Sequence, residues 1–220
     1  MEELLQESQY QSNRAGPWDD EVLQEEWNAA KKAGVKRLYW DRKYISEIPK
    51  ALIRSNKFTK GLRVLSLSVN QLSSLPDTFS HFKSLQELDL SSNKFEEFPM
   101  VLLKMGNLQK LNMERNQLKT LPKSFSQLER LTSVSFFGNH IETLEDDTFE
   151  GMTALREVDL ECNHIRMVPQ SLVDLQSTTE NFLLKTDDMS NLPPEPKKTR
   201  KRTTRTKKPK NPPAKRQRRK

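Results

Sequence analysis

Three side chains in this sequence are of types that bind metals or act as nucleophiles, and their spacing sets them apart. His140 and His164 each stand in the tripeptide Asn-His-Ile, 24 residues apart, and Cys162 lies two residues before the second. Two imidazoles and a thiolate make a ligand set for zinc if the fold brings them together. The same slot beside an Asn equally suits an exposed polar side chain, and on that reading no metal ligand and no cofactor is assigned. His81 sits between Phe79 and Phe82 and suggests no role. Catalytic signatures are missing: there is no G-x-x-x-x-G-K-[ST] loop, no G-x-S-x-G elbow and no H-E-x-x-H pair. Six glycines are few from which to build phosphate cradles. The sequence reads as that of a non-enzyme.

The other chemistry is charge. Residues 193–220 carry 14 Lys and Arg against one acid, Glu195, for +13, whereas residues 1–192 carry 23 basic and 29 acidic side chains, for −6. This tail also holds six of the twelve prolines and a single hydrophobic residue, Ala214. It cannot bury enough apolar surface to offset the entropy of ordering, so a disordered basic arm is expected. Lys197, Lys198, Arg200, Lys201 and Arg202 form one cluster, and Lys215, Arg216, Arg218, Arg219 and Lys220 a second, twelve residues further on. Each has the form of a nuclear localisation signal, and together they fit its two-part form, so a nuclear import receptor is the expected partner. The same cations can neutralise phosphates, which makes non-specific nucleic-acid binding a second expectation. The acidic body attracts the arm as well, and Glu87/Asp89 or Glu157/Asp159/Glu161 are patches where it can rest.

The start of the chain, Met1-Glu-Glu-Leu-Leu-Gln-Glu-Ser, has neither a basic n-region nor an apolar core, so no secretory signal is expected. A single Cys excludes an intrachain disulfide, and a reducing compartment follows. No apolar run reaches bilayer length, and 34% hydrophobic residues leave room for one compact unit at most.

That unit is built on a period. L-x-x-L-x-L-x-x-N-x-L-x-x-L-P recurs from Leu62, Leu85, Leu108, Leu131 and Leu155, at intervals of 23, 23, 23 and 24 residues. A sixth, leading unit uses Val35, Leu38, Trp40, Ile45, Ile48 and Pro49, with Lys43 in the Asn slot, which fits a terminal capping repeat. These residues resemble the leucine-rich repeat family, most specifically over 62–82 and 108–128. The opening Ala29-Ala-Lys-Lys-Ala-Gly-Val-Lys-Arg-Leu is similar to that of short intracellular members such as Ras-suppressor-type proteins.

The pattern predicts an α/β solenoid on its own physics. Leucines at unit positions 1, 4 and 6 put a short strand of each unit into a parallel sheet and aim into the interior. Asn70, Asn93, Asn116, Asn139 and Asn163 satisfy backbone groups where the chain leaves the sheet. Pro49, Pro76, Pro99, Pro122 and Pro169 hold the return segment extended, and Leu52, Phe79, Leu102, Phe125, Phe149 and Leu172 cover the convex side. Glu145 replaces Pro in the fifth unit, which has one extra residue, so its arc should differ. The expected organisation is a flexible N-terminus (1–17), a capping helix (18–34) with Leu23, Trp27 and Ala30 on one face, six repeats (35–176), a C-terminal cap (177–192) closed by Leu183 and Leu184, and the tail (193–220).

Unit positions 3, 5 and 7 then face the concave surface. They form a mixed-polarity face in which Arg37, Tyr39, Glu87, Asp89, Lys110, Asn112, Glu114, Phe137, Glu157, Asp159 and Glu161 are the candidate residues for a protein partner, with Tyr39 and Phe137 as apolar anchors. The function expected from this sequence is a monomeric protein-binding adaptor directed to the nucleus by its tail. Two alternatives stay open: a cytosolic signalling scaffold or phosphatase-regulating module, and a chromatin- or RNA-associated protein working mainly through the tail.

Overall fold

The computed structural model describes residues 20–48 and 57–187. The N-terminal segment 1–17, Pro49 and Leu52, the side chain of Leu23, the last residues of the expected cap, and the tail with both basic clusters lie outside the described residues.

Seven three-residue strands, β1 (Arg37–Tyr39), β2 (Val64–Ser66), β3 (Glu87–Asp89), β4 (Lys110–Asn112), β5 (Ser133–Ser135), β6 (Glu157–Asp159) and β7 (Leu183–Lys185), form one parallel sheet in chain order. The register is constant: Leu38, Leu65, Leu88, Leu111, Val134, Val158 and Leu184 lie opposite one another from rung to rung, all buried. A three-residue strand gains little from its own ladder. Each rung is held by stacking its apolar side chains on its neighbours, at roughly 1.5–3 kcal/mol for each Leu or Phe removed from water.

The convex side follows the prolines. Pro76, Pro99 and Pro122 immediately precede 3-10 turns at Asp77–His81, Met100–Lys104 and Lys123–Gln127, and their carbonyls accept the N–H of Phe79, Leu102 and Phe125 at 2.8, 2.9 and 2.9 Å. Proline suits this place because its fixed φ leads into the turn and no N–H is needed there. Phe125 lies edge-on to Phe98, Phe136 and Phe149, with ring centroids 5.4, 5.7 and 5.4 Å away, so one aromatic stitches neighbouring arcs. The fifth arc does differ. Without the proline it makes hydrogen-bonded turns at 146–151 in place of a 3-10 helix, yet still buries Phe149. Asp146 there serves the next unit: its Oδ1 accepts the Gln170 N–H at 3.2 Å and its carbonyl the Ser171 N–H at 3.0 Å, at the start of helix Gln170–Thr178.

The Asn ladder ties each rung to the one before. Asn116 is typical: its amide donates to Leu90 O at 3.0 Å and Met113 O at 3.1 Å, and its Oδ1 accepts the Phe95 N–H at 3.2 Å. In the first rung the slot holds Lys43, which is buried and reaches Glu26 Oε1 of the capping helix at 3.2 Å. The terminal unit thus replaces a rung-to-rung amide with an ion pair to its cap. That helix, α1 (Asp20–Ala33), ends at Gly34 with φ +66°, where the Gly34 N–H bonds to Lys31 O and the Val35 N–H to Ala30 O. This paired closure needs a left-handed residue, which glycine supplies. Trp27 and Ala30 seal the open end, with Trp27 5.0 Å from Phe58 and 5.5 Å from Trp40.

The C-terminal end departs from the six-unit expectation. Part of the segment expected to be a closing turn is a seventh rung, β7, in parallel register with β6. Leu184 fills its interior slot, while Leu183 points outward and is half exposed.

Candidate binding face of the solenoid

The strand alternation sends positions 3 and 5 of every rung to one side. Columns run Arg37, Val64, Glu87, Lys110, Ser133, Glu157, Leu183 and Tyr39, Ser66, Asp89, Asn112, Ser135, Asp159, Lys185. All of them but Arg37 and Leu183 floor an open trough of about 540 Å3 that runs across the sheet. Of the candidates read from sequence, Tyr39, Glu87, Asp89, Lys110, Asn112, Glu114, Glu157 and Asp159 line it. Arg37, at position 3, and Phe137 and Glu161, at position 7, lie outside that lining, and Phe137 is half-buried.

The face is less uniformly solvated than its period implies. Asp159 is only 8% exposed and Ser66 7%. Lys185 causes the first: its Nζ lies 3.2 Å from both Glu157 and Asp159. Hydrogen bonds to Glu157 first and Asp159 second raise the Lys185 pKa above its ordinary value, against a smaller opposing effect of desolvation. The β6 acids are thus partly neutralised. Lys185 was hidden in the sequence because its rung carries Asn181 and Thr186 in slots where the other rungs carry large hydrophobic residues.

Position 5 also has a structural duty that the column reading missed. Asp89, Asn112 and Asp159 each accept the N–H two residues on, of Ser91, Glu114 and Glu161, at 2.8, 2.9 and 3.1 Å, and Ser135 does so more weakly for Phe137 at 3.4 Å. For the second rung Asp41 of the first takes this part, accepting the Ser68 N–H at 2.9 Å and the Ser66 hydroxyl. The signal was legible: from β2 to β6 every position 5 is Ser, Asp or Asn, the short acceptors that bond their own backbone two residues on.

At position 8 the chain turns left-handed. Arg42, Val69, Ser92, Arg115, Gly138 and Cys162 have φ between 51° and 66°. Five of them donate their N–H to a carbonyl of the next rung, and Cys162 donates instead to the side chain of the next rung's position 7, Asp187 Oδ2, at 2.7 Å. His140 and His164 follow this turn. Their rings stack nearly parallel, 4° apart in plane with centroids at 5.9 Å, and both are exposed. Among the described residues no group of three or more His, Cys, Asp or Glu is placed to hold a metal ion.

Summed over its lining, the trough carries six carboxylates, Asp41, Glu87, Asp89, Glu114, Glu157 and Asp159, against two ammonium groups, Lys110 and Lys185. Glu87 pairs with Lys110 at 3.1 Å across adjacent rungs. Asp41, Asp89 and Glu114 have no cationic partner among the described residues.

Comparison with known proteins agrees with this architecture. The family description "Leucine rich repeat" matches residues 35–95, and a second leucine-rich repeat description matches 107–128. The chain belongs to the leucine-rich repeat family. Similar solved structures include the Leptospira interrogans leucine-rich repeat protein LIC12759, at 33% identity and a TM-score of 0.57 over 64% of this chain and 35% of that one. The TLR13–ssRNA13 complex matches at 30% identity and a TM-score of 0.50 over 58% of this chain and 18% of that one. An internalin, inlF, of Listeria monocytogenes shares the fold at 19% identity and a TM-score of 0.57 over 76% of this chain and 45% of that one. This leucine-rich repeat chain thus spans less than half the length of each of them. No curated protein matches it by sequence. Within the described residues of this repeat protein, no helix is long and apolar enough to cross a membrane.

Proposed function

We propose that this leucine-rich repeat chain is a non-enzymatic adaptor that holds a protein partner in its concave trough and is carried to the nucleus by the basic clusters of its tail. The supporting observation is the continuous sheet face, seven rungs in constant register with a net acidic lining and no element of the described chain laid across it. Solenoids work through such extended concave surfaces. One related structure is a complex with single-stranded RNA. In this chain, six carboxylates against two ammonium groups repel a polyanion from the trough, so nucleic-acid binding is assigned to the tail.

Two measurements test this. A photo-crosslinking residue in the full chain at Ser133, on the trough, is expected to give a discrete polypeptide adduct that is lost on Glu114→Lys. The same residue at Glu129, exposed and away from the trough, is expected to give none. Equal adducts at both sites would refute the concave assignment. Fluorescent fusions of residues 1–220 and 1–192 test the address: the full chain should be nuclear and the truncation spread through the cell. Two cytosolic fusions would leave the scaffold reading in its place.

A further inference from the structure

We infer that the basic segment 197–202 of this same chain folds back into the concave trough over β3 and β4, so that the face is covered by its own tail until a partner displaces it. The inference rests on the concave trough being the binding surface.

The first argument is where the acid surplus sits. The C-terminal rung is partly neutralised from within, because Lys185 lies 3.2 Å from both Glu157 and Asp159. The unpaired carboxylates are Asp41, Asp89 and Glu114, over β1, β3 and β4. Of the patch nearest the chain's exit, Glu157 and Asp159 already hold a cation and Glu161 lies outside the trough lining, so within the trough the middle is the better seat for a further cation.

The second argument is that the trough already takes lysine. Lys110 and Lys185 set their ammonium groups against column carboxylates at 3.1 and 3.2 Å. Lys185 is supplied by the last strand, two residues before the described chain ends at Asp187. The chain leaves at the end of the trough, having just placed one cation in it.

The third argument is reach. Residues 188–196 number nine and span up to about 30 Å when extended, a conformation that Pro193, Pro194 and Pro196 favour. From β7 to β4 is three rungs, about 14 Å, and to β3 about 19 Å. Lys197, Lys198, Arg200, Lys201 and Arg202 can therefore lie along Glu114 and Asp89 with slack to spare. Cations spaced along an extended strand match carboxylates spaced one rung apart. The contact is electrostatic between partly solvated groups, so salt at a few tenths molar screens it. Its consequence is coupling: a partner that fills the trough releases 197–202, half of the import signal, and a receptor that takes 197–202 opens the trough.

Cys162 is the chain's single thiol and is exposed, two rungs from β4. A nitroxide attached there reports on the tail of the intact protein through nuclear relaxation. At about 20 mM salt the amide signals of 197–202 are expected to fall to less than half the intensity that they show at 0.5 M salt, where the flexible tether alone sets their distance from the tag. They should also recover in the full-length triple variant Asp41→Asn, Asp89→Asn, Glu114→Gln, in which the amide oxygens at positions 41 and 89 can keep the backbone bonds of the acids they replace. Undiminished signals at low salt, or attenuation that persists in the triple variant, would overturn the inference. So would attenuation carried from tagged molecules to untagged, isotope-labelled ones, which would make the occupant a second copy. Failure of the adaptor reading looks different: the Ser133 adduct is absent while the tail attenuation remains.

Discussion

Replacing Asn116 by Ala measures what the ladder contributes in the middle of the solenoid. The residue is 5% exposed, and loss of its side chain affects four backbone groups unequally. Glu114 O, 3.2 Å from the amide, keeps the Ser92 N–H at 2.8 Å. Leu90 O keeps the amide of Asn93 at 3.0 Å, and Met113 O keeps that of Asn139 at 2.9 Å, so each loses only a second bond, worth about 0.5–1 kcal/mol. The Phe95 N–H, whose bond to Asn116 Oδ1 is 3.2 Å long, is left without that acceptor in a dry site, at about 1–3 kcal/mol. The expected total is about 3 kcal/mol, a large fraction of the 5–15 kcal/mol typical of a domain. Asn163 makes the matching bonds, to Phe136 O at 2.9 Å, Leu160 O at 3.0 Å and from the Ile141 N–H at 3.0 Å, but is only part-buried near the last rung. Water can replace part of what it loses, so Asn163→Ala is expected to cost about half as much. Urea unfolding of the full chain, followed by circular dichroism, gives both numbers. Equal costs, or a loss below about 0.5 kcal/mol at Asn116, would refute this accounting.

Other consequences follow from single sites. Val69 holds φ 54° although it is β-branched, so Val69→Asn, which tolerates that region and keeps the N–H bond to Ser91 O, should stabilise by about 1 kcal/mol and raise the melting temperature by about 3 °C; no change would mean that the strain is relieved elsewhere. Lys43 and Glu26 have side chains 6% and 15% exposed, so Lys43→Leu or Glu26→Leu alone should each cost about 3 kcal/mol by stranding a charge, while the double replacement should recover most of it; additive losses in the double-mutant cycle would exclude the pair as a unit. Lys185 has its pKa raised above the ordinary 10.5, so its stabilisation is present in full below pH 10.5 and is lost as pH rises through the higher folded value. Alkaline titration of stability should therefore fall more steeply in the parent chain than in Lys185→Met.

Much of the fold could be read from spacing because the repeat is a packing rule. Leucine at three fixed positions admits one sheet and one interior, and the described strands fall where those positions put them. The seventh rung escaped the same rule because it keeps the geometry with little of the pattern. Only Leu184 occupies an interior slot as a hydrophobe, Thr186 is buried in place of leucine, and Asp187 takes over with a carboxylate the bond that a carbonyl makes elsewhere. A terminal unit has a neighbour on one side only, so its sequence is free to drift while β6 dictates its backbone. Lys43 at the opposite end was visible as an exception to the Asn column. Its partner was not, because Glu26 lies 17 residues away on a helix whose orientation only the packing of Trp27 decides.

The concave columns separate two kinds of polar residue that composition alone makes look alike. Position 5 from β3 to β6 holds backbone N–H groups in place, so Asp89, Asn112 and Asp159 are constrained by the turn that follows them before any partner is considered. Positions 3 and 7 carry less of that duty: Val64, Glu87, Lys110 and Ser133 vary in size and charge from rung to rung, as does the sequence Ser68, Ser91, Glu114. On the proposed adaptor reading, specificity for a partner is then written mainly in positions 3 and 7, where a change of side chain alters the surface without loosening the rung. Position 5 supplies a constant background of short acceptors. That division lets an acidic trough be retuned one rung at a time, and it places Glu114, free of both an ion pair and a side-chain capping role among the described residues, where a cationic partner side chain meets the least competition.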